Sequence, residues 1–264
     1  MDPVVRHLDL FSGIGGFALA CRMVGGIETV AFCEIDPWAR KVLAKHWPEI
    51  PIHEDVKKLE GTEHGTIDLI TGGYPCQPFS LAGERKGEDD DRHLWPEVLR
   101  ILKAARPRWL MCENVYGHIS LGFDQVLSDL EAAGYAAGAV VVPACAVDAR
   151  HRRDRLWLVA NRKGVKDCGG GNDGDGWEHR QPSRESGRSD LGAGREAFRW
   201  PCEPGVGRVA HGISDRVDRL HGLGNAIVPQ VAAEIIRAMM QADRQANMKC
   251  SVAESARHKL PRLV

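Results

Sequence analysis

From Val4 to Ala160 the chain repeats one pattern, a short apolar run rich in β-branched residues followed by a stretch with apolar residues at helical spacing. VRHLDLF precedes GFALACRMV, TVAFCEI precedes PWARKVLAKHW, TIDLITGG precedes WPEVLRILKAA, and RWLMCENV precedes FDQVLSDLEAAGY; AGAVVV and RLWLVA close the series. Strands separated by helices of that length cannot pair as hairpins, which predicts an α/β fold built on a doubly wound, mostly parallel sheet. Such sheets bind ligands beyond the carboxyl ends of their strands. FSGIGG, CEID, GGYPCQ and ENV each follow a strand at that edge, so four unusual segments converge on one crevice.

With 264 residues, 43% hydrophobic and 27% charged, the chain has room for one large domain and a small appendage. The opening MDPVVRHLDLFSG has neither the basic region nor the apolar core of a signal peptide, and no apolar run reaches the length of about 18 residues that a membrane span needs. A soluble, cytoplasmic protein without membrane association is the expectation. The eight cysteines include no C-x-x-C pair, so neither a zinc ribbon nor a disulfide framework is signalled and no metal is expected. A net charge of -1 means that any nucleic-acid binding must rest on local patches.

The periodic pattern delimits one sheet-and-helix region at 1–160, and the segments at its strand ends make it the candidate catalytic and cofactor-binding domain. The texture then changes to KDCGGGNDGDGWEHRQPSRESGRSDLGAGREAF, rich in Gly, Ser, Asp and Arg, which marks 161–205 as a linker or a small inserted subdomain. Order returns over 206–243, where Pro229 to Met240 has the spacing of an amphipathic helix. A basic, weakly patterned tail is expected over 244–264.

DLFSGIGG, Asp9 to Gly16, places a glycine-rich turn between the first strand and a helix, where backbone amides can approach a ligand. It lacks the full G-x-G-x-x-G, which favours a ligand smaller than a dinucleotide pyrophosphate. Glu34 ends the second strand where an acidic residue accepts ribose hydroxyls, while Asp36 before Pro37 suits a helix N-cap. Together the turn and Glu34 favour an adenosine-containing cofactor. Cys76 stands between Pro75 and Pro78 on a stiffened loop after a strand. A lone cysteine is usually inert packing, but Glu113, Arg153 and Arg155 come from neighbouring strand ends. A thiolate, a carboxyl that can be protonated and guanidinium groups suit attack on an electron-poor ring.

DLFSGIGG, GGYPCQPFS, ENV, HRRDRLWLVA and RLHGLGNAIVPQ, in that order, resemble the ordered motifs of the DNA (cytosine-5)-methyltransferase family, bacterial and phage type. The resemblance covers Val5 to Ala160 and Gly207 to Ala242. It implies the S-adenosylmethionine-dependent methyltransferase fold with 161–205 as a short target-recognition region. It also implies S-adenosyl-L-methionine as cofactor, held by Phe11, Gly13, Gly15, Glu34, Ile35, Asp55, Val56 and Asn225. Cys76 is similar to the nucleophile that attacks C6 of cytosine, Glu113 to the residue that holds and protonates N3, and Arg155 to the group near O2. Gln77, Ser80 and Arg153 are implied as DNA contacts, Arg153 also as a brace for the loop or backbone.

The implied activity is transfer of a methyl group to C5 of cytosine in double-stranded DNA, with the target base flipped out of the duplex. A monomer is implied, and a restriction endonuclease acting on the same site is the partner such an enzyme could have. Two alternatives stay open on these residues: a tRNA cytosine-5 methyltransferase of the same family, and a non-catalytic DNA-binding relative. LAGERKGEDDDRH, Leu81 to His93, reads either as a loop closing over the flipped base or as a solvated surface loop. The chain departs from the family pattern at His151-Arg152, where many members carry glutamine, and in CAVDAR, which lacks the usual glycine-proline. The recognition region is short. Its Arg180, Arg184, Arg188 and Arg195, with Trp177 and Trp200, are either DNA contacts or part of a solvated linker.

Overall fold

In the computed structural model, residues 4–75, 94–120, 122–162 and 222–258 are described, with side chains as far as residue 245. Seven strands form one sheet in the order β3-β2-β1-β4-β5-β7-β6. They are β1 (Val5–Leu10), β2 (Ile27–Cys33), β3 (Ile52–His53), β4 (Leu69–Gly72), β5 (Trp109–Val115), β6 (Tyr135–Pro143) and β7 (Asp154–Arg162). Neighbours from β3 through β5 pair in parallel, and β7 runs antiparallel to both β5 and β6. The expected doubly wound, mostly parallel sheet is therefore present. The chain winds outward from β1 to β3 and then returns to the other side of β1 as β4. That reversal opens a crevice at the carboxyl ends of β1 and β4.

Helices cover both faces, because strands buried on two sides need apolar partners on each. On one face α1 (Gly16–Val24) and α5 (Pro229–His258) pack Phe17, Ala20, Val231 and Ile236 against Leu69, Met111 and Trp157 of the sheet. On the other, α3 (Trp95–Ala105) and α4 (Phe123–Ala132) pack Ile101, Leu102, Val126 and Leu130 against Leu8, Leu10, Ile70 and Leu110. The helix α2 (Pro37–His46) sets Leu43 against Phe32 and Ala18. The helix expected over 229–240 continues to His258, through most of the expected tail. RQANMKCSVAESARH contains no glycine or proline to stop it. The two-residue strand β3 escapes the periodicity reading because two residues carry no period. Among the described residues no helix is long and apolar enough to cross a membrane.

The α1 face of β1 is polar at its centre. His7, Asp9 and Thr71 are all fully buried. His7 Nε2 lies 2.7 Å from Thr71 Oγ1 and His7 Nδ1 lies 2.9 Å from Thr29 Oγ1, while Thr71 Oγ1 donates to Asp9 Oδ1 at 2.9 Å. The hydrogen bonds tie β2, β1 and β4 together through their side chains, beside the crevice. With Thr71 donating to Asp9, His7 takes the tautomer that carries its proton on Nε2 and accepts from Thr29. Burial holds the Asp9 carboxyl well above the usual carboxylate range and lowers His7 from 6.5 to about 3.

Between pH 3 and 6.5 the unfolded chain therefore binds a proton at His7 that the native fold refuses. Stability from this group is complete above the unfolded value and declines as pH falls below it. Chemical denaturation at pH 7.5 and pH 5 should show wild type losing about 2 kcal/mol that His7→Leu does not lose. Equal losses in the two proteins would mean that His7 is protonated in the native state.

Candidate active site

The turn after β1 is assembled by backbone amides and two side chains. Ser12 N donates to Cys33 O at 3.1 Å, and Ser12 Oγ donates to Asp9 O at 2.7 Å while accepting from Cys33 N at 3.2 Å, which fastens the turn to the end of β2. Phe11, at φ 52°, occupies the left-handed region that non-glycine residues rarely adopt. Gly13, at φ 54°, has nothing within 4 Å of where a Cβ would stand, so its backbone borders open space. Gly15 caps α1 at φ 85°.

Glu34 joins this turn to the next. Its Oε2 accepts from Gly13 N at 2.6 Å and its Oε1 from Asp36 N at 2.8 Å. Asp36 caps α2 as the sequence predicts, its side chain accepting from Trp38 N at 2.7 Å and Ala39 N at 3.2 Å ahead of a proline in the first turn. On the outer side, Glu34 N donates to His53 O at 2.9 Å, and this pairing with β3 brings Asp55 and Val56 alongside.

A cavity of about 700 Å³ opens over these turns at the sheet's carboxyl edge. One end is bordered by Phe11, Gly13, Glu34, Ile35, Asp55 and Val56, and Asn225 closes the wall. Ile35 keeps 73% of its surface exposed, an apolar side chain on the border of the cavity. Gly73, Tyr74 and Pro75, which lead out of β4, border the other end together with Glu113, Arg153 and Arg155.

At that end Arg155 Nε donates to Glu113 Oε1 at 2.8 Å. The pairing register sets Glu113 opposite Trp157 and Val115 opposite Arg155, so the guanidinium reaches the carboxylate diagonally across two strands. Glu113 is 8% exposed. Burial raises its pKa, while the charges of Arg155 and Arg153 pull it down, with burial the larger effect. A carboxyl so placed can exist protonated and can donate. Arg153, at φ 40°, turns the other way, and its Nη2 donates to Gly224 O at 2.8 Å and Ala226 O at 2.7 Å. It braces the return segment that carries Asn225.

Ten predicted site residues thus border one cavity: Phe11, Gly13, Glu34, Ile35, Asp55, Val56, Glu113, Arg153, Arg155 and Asn225. Gly15 does not border it. A Cβ there would stand 2.5 Å from the Trp47 ring, so this glycine serves the close packing of α1 on Trp47. Cys76, Gln77 and Ser80 lie outside the described residues, as do Leu81 to His93 and the stretch 163–221. Sequence reasoning missed Trp38, Lys57 and Asn114 on the cavity wall. Asn114 had a signal, as the middle residue of ENV, but only the fold shows its amide donating to Tyr74 O at 3.1 Å.

The family model described as C-5 cytosine-specific DNA methylase matches residues 5–186. The chain is 34% identical over 170 residues to the Type II methyltransferase M.HgiCII of Herpetosiphon aurantiacus, a match covering 61% of this chain and 39% of that protein. It is 34% identical over 180 residues to the Type II methyltransferase M.NgoBV of Neisseria gonorrhoeae, covering 62% and 43% respectively. The chain thus spans about two fifths of the length of these curated relatives. Among solved structures, a putative DNA modification methyltransferase encoded within a prophage of E. coli matches with TM-score 0.52 and 26% identity, over 60% of this chain and 47% of that one. A Spodoptera frugiperda DNMT2 mutant matches with TM-score 0.54 over 61% of this chain and 51% of its own, and at 24% identity that likeness shows the fold alone.

The opposition of burial and Arg155 at Glu113 is open to measurement. In Arg155→Met the largest lowering influence is gone, so the Glu113 carboxyl should titrate at higher pH than in wild type when followed by 13C NMR. An unchanged or lower midpoint would show that the 2.8 Å ion pair does not govern this carboxyl in solution.

Proposed function

Because the chain belongs to the C-5 cytosine-specific DNA methylase family, we propose that it transfers a methyl group from S-adenosylmethionine to C5 of a cytosine in double-stranded DNA. The observation that carries the reading is the single cavity in which a loop-and-carboxylate end faces the buried Glu113–Arg155 pair.

The first end fits the cofactor. The open backbone at Gly13 admits close approach, and each Glu34 oxygen holds one backbone amide and keeps lone-pair capacity for ribose hydroxyls. Ile35 and Val56 offer apolar surface for a purine, and Asp55 a polar edge. When bound, the cofactor supplies an electrophilic methyl group on a sulfonium.

The second end fits the base. Cys76, next in the chain after Pro75, is the nucleophile: its thiolate forms a bond to C6 while Glu113 delivers its proton to N3 and Arg155 neutralises charge at O2. C5 then carries the electron pair that accepts the methyl group. Loss of the C5 proton re-forms the C5–C6 double bond and expels the Cys76 thiolate, and N3 returns its proton to Glu113, which leaves 5-methylcytosine. A duplex base cannot meet a thiolate below its plane and a methyl donor at its edge, so the target nucleotide must leave the stack. DNA is preferred to tRNA because the family model that matches the chain is that of a C-5 cytosine-specific DNA methylase. A restriction endonuclease sharing the target site is the partner suggested by the Type II relatives.

Duplex DNA containing 5-fluorocytosine tests the chemistry, since fluorine at C5 cannot leave as a proton. Wild type with S-adenosylmethionine should form a denaturation-resistant adduct through Cys76, Cys76→Ser should form none, and Glu113→Gln should slow transfer by roughly 100-fold or more. Transfer to tRNA but not to any duplex would overturn the substrate, and an adduct persisting in Cys76→Ser would overturn the nucleophile. Calorimetry tests the cofactor end: Glu34→Ala should weaken cofactor binding at least tenfold, about 1.4 kcal/mol, and undiminished affinity would remove Glu34 from the site.

A further inference from the structure

The segment that leaves β4 is gripped by buried side chains that take no part in the chemistry above. Tyr74 is 4% exposed and His118, on the 3-10 turn Tyr116–Ser120 that follows β5, is 7% exposed. Tyr74 Oη lies 2.8 Å from His118 Nε2. The Tyr74 ring packs at 5.4 Å on Trp95 of α3 and at 5.6 Å on the His118 ring, which meets Phe123 of α4 at 5.6 Å. Trp95 is itself anchored, its Nε1 donating to Asp129 Oδ2 of α4 at 2.8 Å. From β5, Asn114 Nδ2 donates to Tyr74 O at 3.1 Å while Asn114 Oδ1 accepts from Val115 N at 2.8 Å. Tyr74 is thus held at its side chain by the 3-10 turn and α3 and at its backbone by β5, with α4 anchoring both His118 and Trp95 behind it. Gly73 runs close beside the acid, for a Cβ there would stand 3.7 Å from Glu113 Oε2.

Bulk alone would be served by phenylalanine. A buried hydroxyl needs a partner to offset its desolvation, and a hydrogen bond to a buried imidazole adds direction that packing lacks. Two residues after Tyr74 the chain reaches Cys76, whose attack is sensitive to placement on the ångström scale.

We propose that Tyr74 and His118 are a positioning pair that fixes the Gly73–Pro75 exit from β4, and thereby sets the approach of Cys76 to a base held at Glu113. The inference rests on the proposed function and goes beyond it, since neither side chain touches cofactor or base in that scheme. The pair controls the rate of the covalent step and leaves cofactor affinity alone.

The experiment compares wild type, Tyr74→Phe, His118→Phe, the double variant and His118→Gln, which keeps a hydrogen-bonding group. It reads the single-turnover rate of adduct formation on 5-fluorocytosine duplex, cofactor Kd and melting temperature. Each phenylalanine variant should slow adduct formation by roughly 10- to 100-fold with cofactor Kd within about twofold, the double should be no slower than the slower single, and His118→Gln should recover part of the rate. Tyr74→Phe within about twofold of wild type, multiplicative losses in the double, or a parallel loss of cofactor binding would each overturn the pair. Should Tyr74→Phe fail to fold, His118→Phe decides: a slowed rate at unchanged cofactor Kd supports the pair and a wild-type rate overturns it. A wild type that forms no adduct overturns the proposed function itself, whereas an active wild type with unaffected variants overturns only the pair.

Discussion

The carboxylate of Glu34 is the constraint on which the crevice depends. Parallel strands end with unpaired amides, and here those of Gly13 and Asp36, from two different turns, converge on one side chain at 2.6 and 2.8 Å. The same residue's backbone hangs on β3 through His53 O. One carboxyl group, with its residue 9% exposed, thus fixes the glycine turn, the start of α2 and the strand that brings Asp55 and Val56. Hydrogen bonds of this length tolerate little displacement.

The opposite end depends on strand direction. In an all-parallel sheet the start of β7 would lie at the amino edge, far from Glu113. Because β7 runs antiparallel, its first residues reach the carboxyl edge, and Arg153 and Arg155 arrive where the acid stands. The two arginines then divide the work. Arg155 holds the acid at 2.8 Å, and Arg153 holds the return segment by two carbonyls. Glu113 is left between burial, which favours its neutral form, and guanidinium charge, which favours the ion. In the proposed reaction, where Glu113 gives a proton to N3 and takes it back, such a balance is an advantage.

The buried polar chain from Thr29 through His7 and Thr71 to Asp9 lies behind this arrangement, on the central three strands. Thr71 belongs to the strand that leads to Tyr74, and Asp9 to the strand that leads to Phe11. Hydrogen bonds in so dry a place resist shear between strands, because sliding one past the next would strand a donor or acceptor without water. The register of β1 against β4 therefore bears on both ends of the cavity.

Much of this was legible in the residues alone. Alternating strand and helix periods dictate a doubly wound sheet, because apolar patterning follows the geometry of each element, and the sheet's known ligand edge collects the residues that follow each strand. Asp36 before Pro37 announces a cap, since capping is decided within a few residues. Glu34 and Glu113 are picked out by type and by position at a strand's end and the two arginines by their place at the edge of another strand, whereas Asp55 and Val56 come only through the family resemblance. What only the tertiary structure decided are the relations between elements: that Gly15 packs close against Trp47, that Arg153 braces Gly224 and Ala226, and that Tyr74 meets His118 forty-four positions away. Local propensity acts over a few residues, whereas these contacts exist only once packing has closed the distance between segments that carry no mark of one another.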